Sequence, residues 1–211
     1  MLIAISGIIG AGKSTLTHAL EGIKFYEPVD SNPYLNLYYK NPERWCFPMQ
    51  MHLLYERWKM CQAAFWASRQ GKDAILDRSI YEDWAFASLG YQSGYMSELE
   101  YQTYCKTHEL LTSEYIAFPD LVIHLACDIE TAQTRIAERS RGCESGISDE
   151  YLHKLQHEYE QLLPALSHKT RVVYIPATYT KGEIHALAKK HIENRRQELA
   201  EQKAPRYRGG C

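Results

Sequence analysis

Gly7-Ile8-Ile9-Gly10-Ala11-Gly12-Lys13-Ser14-Thr15 follows directly on the apolar run Leu2-Ile3-Ala4-Ile5 and Ser6. It fits G-x-x-x-x-G-K-[ST], the phosphate-binding loop, with a strand before it and the helix-compatible Leu16-Thr17-His18-Ala19-Leu20 after it. Three glycines let the backbone wrap closely, so that successive N–H groups point at one anion. The helix start adds partial positive charge. Lys13 supplies a cation for the outer phosphates, and the Ser14 hydroxyl can ligate Mg²⁺. The stretch predicts nucleoside-triphosphate binding through all nine of its residues, but by itself it names no reaction.

Working outward, strands alternate with helices. Ile23-Lys24-Phe25-Tyr26-Glu27 reads as a second strand that Pro28 stops. A helical pattern covers residues 48–69, carrying Met49, Leu53, Leu54, Trp58, Cys61 and Phe65, and Gly71 ends it. Ala74-Ile75-Leu76-Asp77 reads as a buried parallel strand, and Ser79-Ile80-Tyr81-Glu82 is a capping box that starts a helix. Further helices are predicted over 98–116, from the strand Leu121-Val122-Ile123-His124-Leu125 to about Arg139, along the stripe Leu152 to Leu166, and over 181–201. The last strand is Arg171-Val172-Val173-Tyr174-Ile175. This order predicts an α/β fold, a five-stranded parallel sheet with helices on both faces. One domain over 1–202 is expected, with residues 203–211 as a frayed tail.

Composition narrows the partners. The chain has 211 residues and a formal net charge of −2, so no strong field draws nucleic acid or an anionic membrane. No signal peptide or membrane span appears. The six cysteines form no C-x-x-C pair and no zinc spacing, which suggests free thiols in a reducing compartment, hence the cytoplasm.

Ligands of open parallel sheets sit beyond the carboxyl ends of the strands. Three such ends carry the loop, Glu27, and Asp77-Arg78-Ser79. Phosphoryl transfer needs a group that orients or deprotonates the acceptor, a metal, and cations for the equatorial oxygens. Glu27 is the candidate base, Asp77 a second candidate for Mg²⁺, and Arg78 a cation near the acceptor. Arg135, Arg139 and Arg141 read either as a flap over the phosphates or as a solvated basic helix end.

These motifs, in this order, resemble the deoxynucleoside kinases. The likeness rests on the loop, Glu27-Pro28-Val29, Tyr39-Lys40-Asn41-Pro42-Glu43-Arg44-Trp45 through Gln50, Asp77-Arg78-Ser79, Arg135-x-x-x-Arg139-x-Arg141-x-x-Glu144 and Gly146-Ile147. Asn32-Pro33-Tyr34-Leu35 is similar to bacterial purine-type members. The resemblance implies ATP and Mg²⁺ as cofactors, a deoxynucleoside as substrate and a homodimer. It implies that Glu27 takes the proton of the 5′-hydroxyl, with Arg78 holding that end. Tyr39 and Glu144 would grip the 3′-hydroxyl, Tyr39 crowding position 2′, and Gln50 would pair with the base. Arg57 and Asp83 would complete the base-reading set, Phe86 would stack on the base, and the three arginines would form a lid over about 135–147. Asp83 with Arg57 matches members that take purine deoxynucleosides or deoxycytidine.

Two departures stand out: Ser140 and Cys143 replace the usual Gly and Glu of the lid, and Ala87 occupies the usual place of the stacking aromatic. Gln50 and Arg57 are seven apart and share a helical face with Leu54 and Cys61, where polar groups ask for partners. A mutually satisfied Arg57–Asp83 pair is the other reading of that face. Trp45 and Trp58 are expected in the core. Two rivals remain from the residues alone, a nucleoside monophosphate kinase and a nucleotide-dependent switch. Adenine contacts are expected from residues 177–181.

Overall fold

The computed structural model describes residues 1–26, 32–114, 116–139 and 146–203. Among them, β1 (Leu2–Ser6), β2 (Ile23–Phe25), β3 (Ala74–Asp77), β4 (Leu121–Ala126) and β5 (Arg171–Pro176) form one parallel sheet in the order β2-β3-β1-β4-β5. Parallel neighbours need long crossovers, and helices supply them. The chain lays β2 and β3 on one side of β1 and β4 and β5 on the other. The reversal leaves a crevice at the carboxyl end of β1, where the glycine loop begins.

Every residue of β1 is buried because helices cover both faces of the sheet. Leu2 and Ala4 enter one core with α3 (Pro42–Arg69) and α5 (Glu98–Glu114). Ile3 and Ile5 enter the other with α1 (Lys13–Ala19), α6 (Ile129–Arg139), α7 (Asp149–Ser167) and α8 (Lys181–Lys203). The short α2 (Leu35–Lys40) lies against α3, and α4 (Asp83–Gln92) packs on α7. No helix among the described residues is long and apolar enough to cross a membrane.

Three boundaries differ from the expectation. The long helix begins at Pro42, six residues before Pro48. Asn41 caps it by accepting the Arg44 N–H at 3.2 Å, and Pro42 suits a first turn in which no intrahelical donor is needed. Pro48 therefore sits inside a helix that packing holds together. Strand β2 ends at Phe25, so Glu27 does not close it; Glu27 itself lies outside the described residues. The capping box at Ser79 opens with one 3₁₀ turn, Ile80–Glu82, before α4.

Candidate active site

Between β1 and α1 the loop builds a cradle for an anion. Gly10 has φ +83°, and a Cβ there would stand 2.5 Å from the Ala132 carbonyl oxygen, so only glycine fits. Gly12, at φ +96°, caps α1 with no side chain in the cap, which leaves the first N–H groups of the helix to a ligand. Lys13 is buried and donates to the Ile8 carbonyl at 2.9 Å. The Ser14 hydroxyl donates to Asp77 Oδ2 at 2.5 Å, which places the hydroxyl of the loop beside the carboxylate that ends β3. A hydroxyl and a carboxylate at a phosphate site are hard oxygen donors of the kind Mg²⁺ takes.

Two cavities open here. The first, of about 430 Å³, runs along residues 10–16 to Arg135, Glu138, Arg139, Lys181 and Ile184. Arg135 spans it: Nη1 donates to the Ala11 carbonyl at 3.1 Å and Nη2 to the Ala177 carbonyl at 2.7 Å. The expectation for Arg135 was a lid over the phosphates. In the structure these two bonds tie the glycine loop to the segment after β5. Lys181 lies in the stretch expected to meet adenine. Arg141 and Glu144 lie outside the described residues.

The second cavity, of about 300 Å³, is lined by Tyr26, Tyr38, Tyr39, Gln50, Arg57, Arg78, Phe86, Tyr151 and others. The two cavities share Gly10, Lys13, Ser14 and Arg139. Helix α3 delivers Gln50 and Arg57 from the face that buries Leu54 and Cys61, as their spacing predicts. Gln50 is 3% exposed, and its Oε1 has no hydrogen-bond partner among the described residues. An unmet buried acceptor beside a cavity is the mark of a ligand contact or of a cost of roughly 1–3 kcal/mol.

Asp83 is set back from the cavity. It is fully buried at the start of α4 and does not line the cavity; it lies behind Arg57 and pairs with its guanidinium. Any effect of Asp83 on a base therefore passes through Arg57.

Arg78 is the only described non-glycine residue with positive φ, +73°. Its N–H is held by the Ile5 carbonyl at 3.0 Å, and its guanidinium lies over the Phe86 ring at 4.6 Å. Phe86, for which the resemblance implies stacking on the base, lines the cavity with one face covered by Arg78. Tyr39 lines the same cavity, edge-on to Tyr38 at 5.4 Å. Trp45 and Trp58 pack against the core and line neither cavity.

Reading the residues singly missed Tyr38 and Tyr151. Both line the second cavity, and burial pushes both hydroxyls above the ordinary tyrosine range. The chain's 16 tyrosines are a signal that could have pointed to them, but a count does not say which ones converge.

Comparison with known proteins follows the same lines. The family model described as deoxynucleoside kinase matches residues 3–202. The deoxyadenosine kinase of Dictyostelium discoideum is 40% identical over 177 residues, which covers 82% of this chain and 71% of the relative. The deoxyadenosine/deoxycytidine kinase of Bacillus subtilis is 39% identical over 165 residues, 75% of each chain. A solved structure of deoxyadenosine kinase from M. mycoides with bound dCTP superposes with a TM-score of 0.81 at 29% identity, over 92% of this chain and 100% of that one. A match of that extent, on a chain whose two cavities open onto one lysine, leaves one conclusion: the chain belongs to the deoxynucleoside kinase family.

Proposed function

We propose that this chain transfers the terminal phosphoryl group of ATP, with Mg²⁺, to the 5′-hydroxyl of a purine deoxynucleoside, with deoxycytidine as a second substrate. The carrying observation is that the two cavities share Gly10, Lys13, Ser14 and Arg139. A donor in one and an acceptor in the other would meet at the lysine and the open helix start, which is what phosphoryl transfer asks of a protein.

The phosphate loop, residues 7–15, binds the triphosphate. Ser14 and Asp77 would hold Mg²⁺, which supplies charge neutralisation between phosphate oxygens when bound. Arg139 and Arg141 offset charge on the transferring group, and Arg135 shapes the floor beneath the donor. Glu27 takes the acceptor proton; the residue before it, Tyr26, lines the acceptor cavity. Arg78 holds the 5′ end and Tyr39, with Glu144, the 3′-hydroxyl. Gln50 offers the base a donor and an acceptor together. Arg57, backed by Asp83, gives the base a fixed donor, and Phe86 lies against its plane. A nucleoside monophosphate acceptor fits less well, because the acceptor-side arginines face acidic partners, Arg57 to Asp83 and Arg78 to Glu82.

One domain over 1–202 with a lid over 135–147, placement in the cytoplasm and a homodimer belong to the same proposal. Cys46, Cys61, Cys105 and Cys127 are free thiols, which suits a reducing compartment. Tyr55 and Trp66 on α3 and Leu110 on α5 leave large apolar side chains at the surface for a second copy to cover.

The test is kcat/KM for the four deoxynucleosides with ATP and Mg²⁺. Deoxyadenosine or deoxyguanosine leads; a thymidine preference of about tenfold or more overturns the reading of Arg57 and Asp83. Glu27→Ala lowers kcat by at least ~10²-fold, the scale of general-base removal, while ATP still binds.

A further inference from the structure

The turn after β3 holds a buried carboxylate to which the reaction outlined above gives no role. Glu82 is fully buried. Its Oε1 accepts the Ser79 N–H at 3.0 Å and the Ser79 hydroxyl at 3.4 Å, closing the capping box. A cap needs only that oxygen, and a glutamine would serve it equally well.

The other oxygen, Oε2, accepts the Tyr159 hydroxyl at 2.8 Å and the Ser6 hydroxyl at 3.1 Å. It also lies 3.5 Å from Nη1 of Arg78, and the same Nη1 donates to the Tyr159 hydroxyl. Ser6 Oγ is 3.1 Å from His124 Nδ1. Because Ser6 has given its proton to Glu82, Nδ1 of His124 is the donor in that contact. The network therefore runs from α7 through Glu82 to the last residue of β1, one position before the glycine loop.

Arg78 is where this arrangement has consequences. A non-glycine residue at φ +73° is strained and persists only where its surroundings over-determine it. Here the Ile5 carbonyl holds the backbone, the Phe86 ring bears on the guanidinium, and Tyr159 and Glu82 grip Nη1. A free arginine side chain samples many rotamers, whereas this one is presented to the acceptor cavity in a single orientation.

We propose that Glu82 and Tyr159 are positioning residues that together fix the Arg78 guanidinium on the acceptor side of the phosphate loop, with Ser6 tying that orientation to β1. The inference rests on the reading of Arg78 as the cation at the 5′ end of the acceptor. Glu82 supplies the charge that makes burial of Arg78 tolerable, and Tyr159 supplies the hydroxyl that sets its direction.

The experiment is steady-state kinetics on Tyr159→Phe, Arg78→Ala and the double variant, with Tm measured for each. Tyr159→Phe lowers kcat/KM for the deoxynucleoside about 10- to 100-fold, the scale of a lost hydrogen bond to a charged group, and leaves KM for ATP unchanged. In the Arg78→Ala background it costs nothing further, because the group it positions is gone. Glu82→Gln, which keeps an oxygen for the cap and loses the charge facing Arg78, repeats this pattern and serves as the second variant.

The inference is overturned if Tyr159→Phe lowers Tm with kcat/KM unchanged, or if its effect adds fully to that of Arg78→Ala. In both cases Arg78 keeps its assigned place. If Arg78→Ala itself leaves kcat/KM for the deoxynucleoside intact, the acceptor-site reading fails and takes this inference with it.

Discussion

The two cavities proposed to hold donor and acceptor share Lys13, yet they are built on opposite principles. The donor side is dominated by one contiguous stretch, residues 10–16, whose backbone N–H groups the loop and helix present together, with Arg135, Arg139 and Lys181 along its edge. The acceptor side gathers side chains from α2, α3, the turn after β3, α4 and α7. Backbone dipoles need no counter-charge when buried. Arginines do, and the acceptor side accordingly carries Asp83 behind Arg57 and Glu82 beside Arg78. It follows that injury to the donor side should fall on catalysis alone, whereas injury to the acceptor side should cost stability as well.

The largest expected effect is on stability at the acceptor side. Asp83→Ala leaves Arg57 buried without its carboxylate and destabilises the protein by about 3–5 kcal/mol in urea unfolding. Pairing it with Arg57→Met recovers much of that loss while the preference among bases stays altered. Next, Lys13→Met lowers kcat by roughly 10²–10³-fold, as loss of a charge-stabilising group does, with the urea midpoint nearly unchanged. If Lys13→Met proved as destabilising as Asp83→Ala, the contrast between the two sides would be wrong.

A third prediction concerns the back of the phosphate loop. Burial pushes the His124 pKa down from 6.5 to about 4, against the pull of the Glu82 charge. Between those values the unfolded imidazole takes up a proton that the folded one refuses, so stability falls as pH drops from about 6.5 toward 4. The loss reaches up to about 3 kcal/mol. Burial shifts His108 the same way, so His124→Gln flattens part of the acid limb measured by urea unfolding at several pH values, not all of it. An unchanged acid limb in His124→Gln counts against a neutral buried imidazole.

The smallest effect on the fold belongs to Gln50→Leu. Removing an acceptor that has no partner among the described residues leaves stability unchanged or raises it by up to about 1 kcal/mol. At the same time kcat/KM falls by about tenfold or more, unequally among the four deoxynucleosides. A uniform loss would remove Gln50 from base reading.

Local features were legible in the chain. Short continuous apolar runs placed the strands, the glycines placed the loop, and the seven-residue spacing put Gln50 and Arg57 on one face of α3 with Leu54 and Cys61. The start of that helix was less legible, because Pro42 and Pro48 both suit a first turn and only packing shows that Pro48 is interior. The contacts of Arg135 were not legible for a related reason. Charge pattern says that an arginine sits near phosphates, but not that carbonyls of residues 11 and 177 come within its reach.

The order of residues determined by itself that this chain folds as an alternating α/β sheet around an anion-binding loop, since that loop needs only neighbours in sequence to form. Tertiary structure alone decided that Asp83 pairs with Arg57 away from the cavity and that the capping glutamate at the start of α4 also meets Tyr159 and Ser6. The physical reason is that a buried charge is satisfied by whatever the fold brings within about 3 Å, and such partners leave no spacing in the sequence to be read.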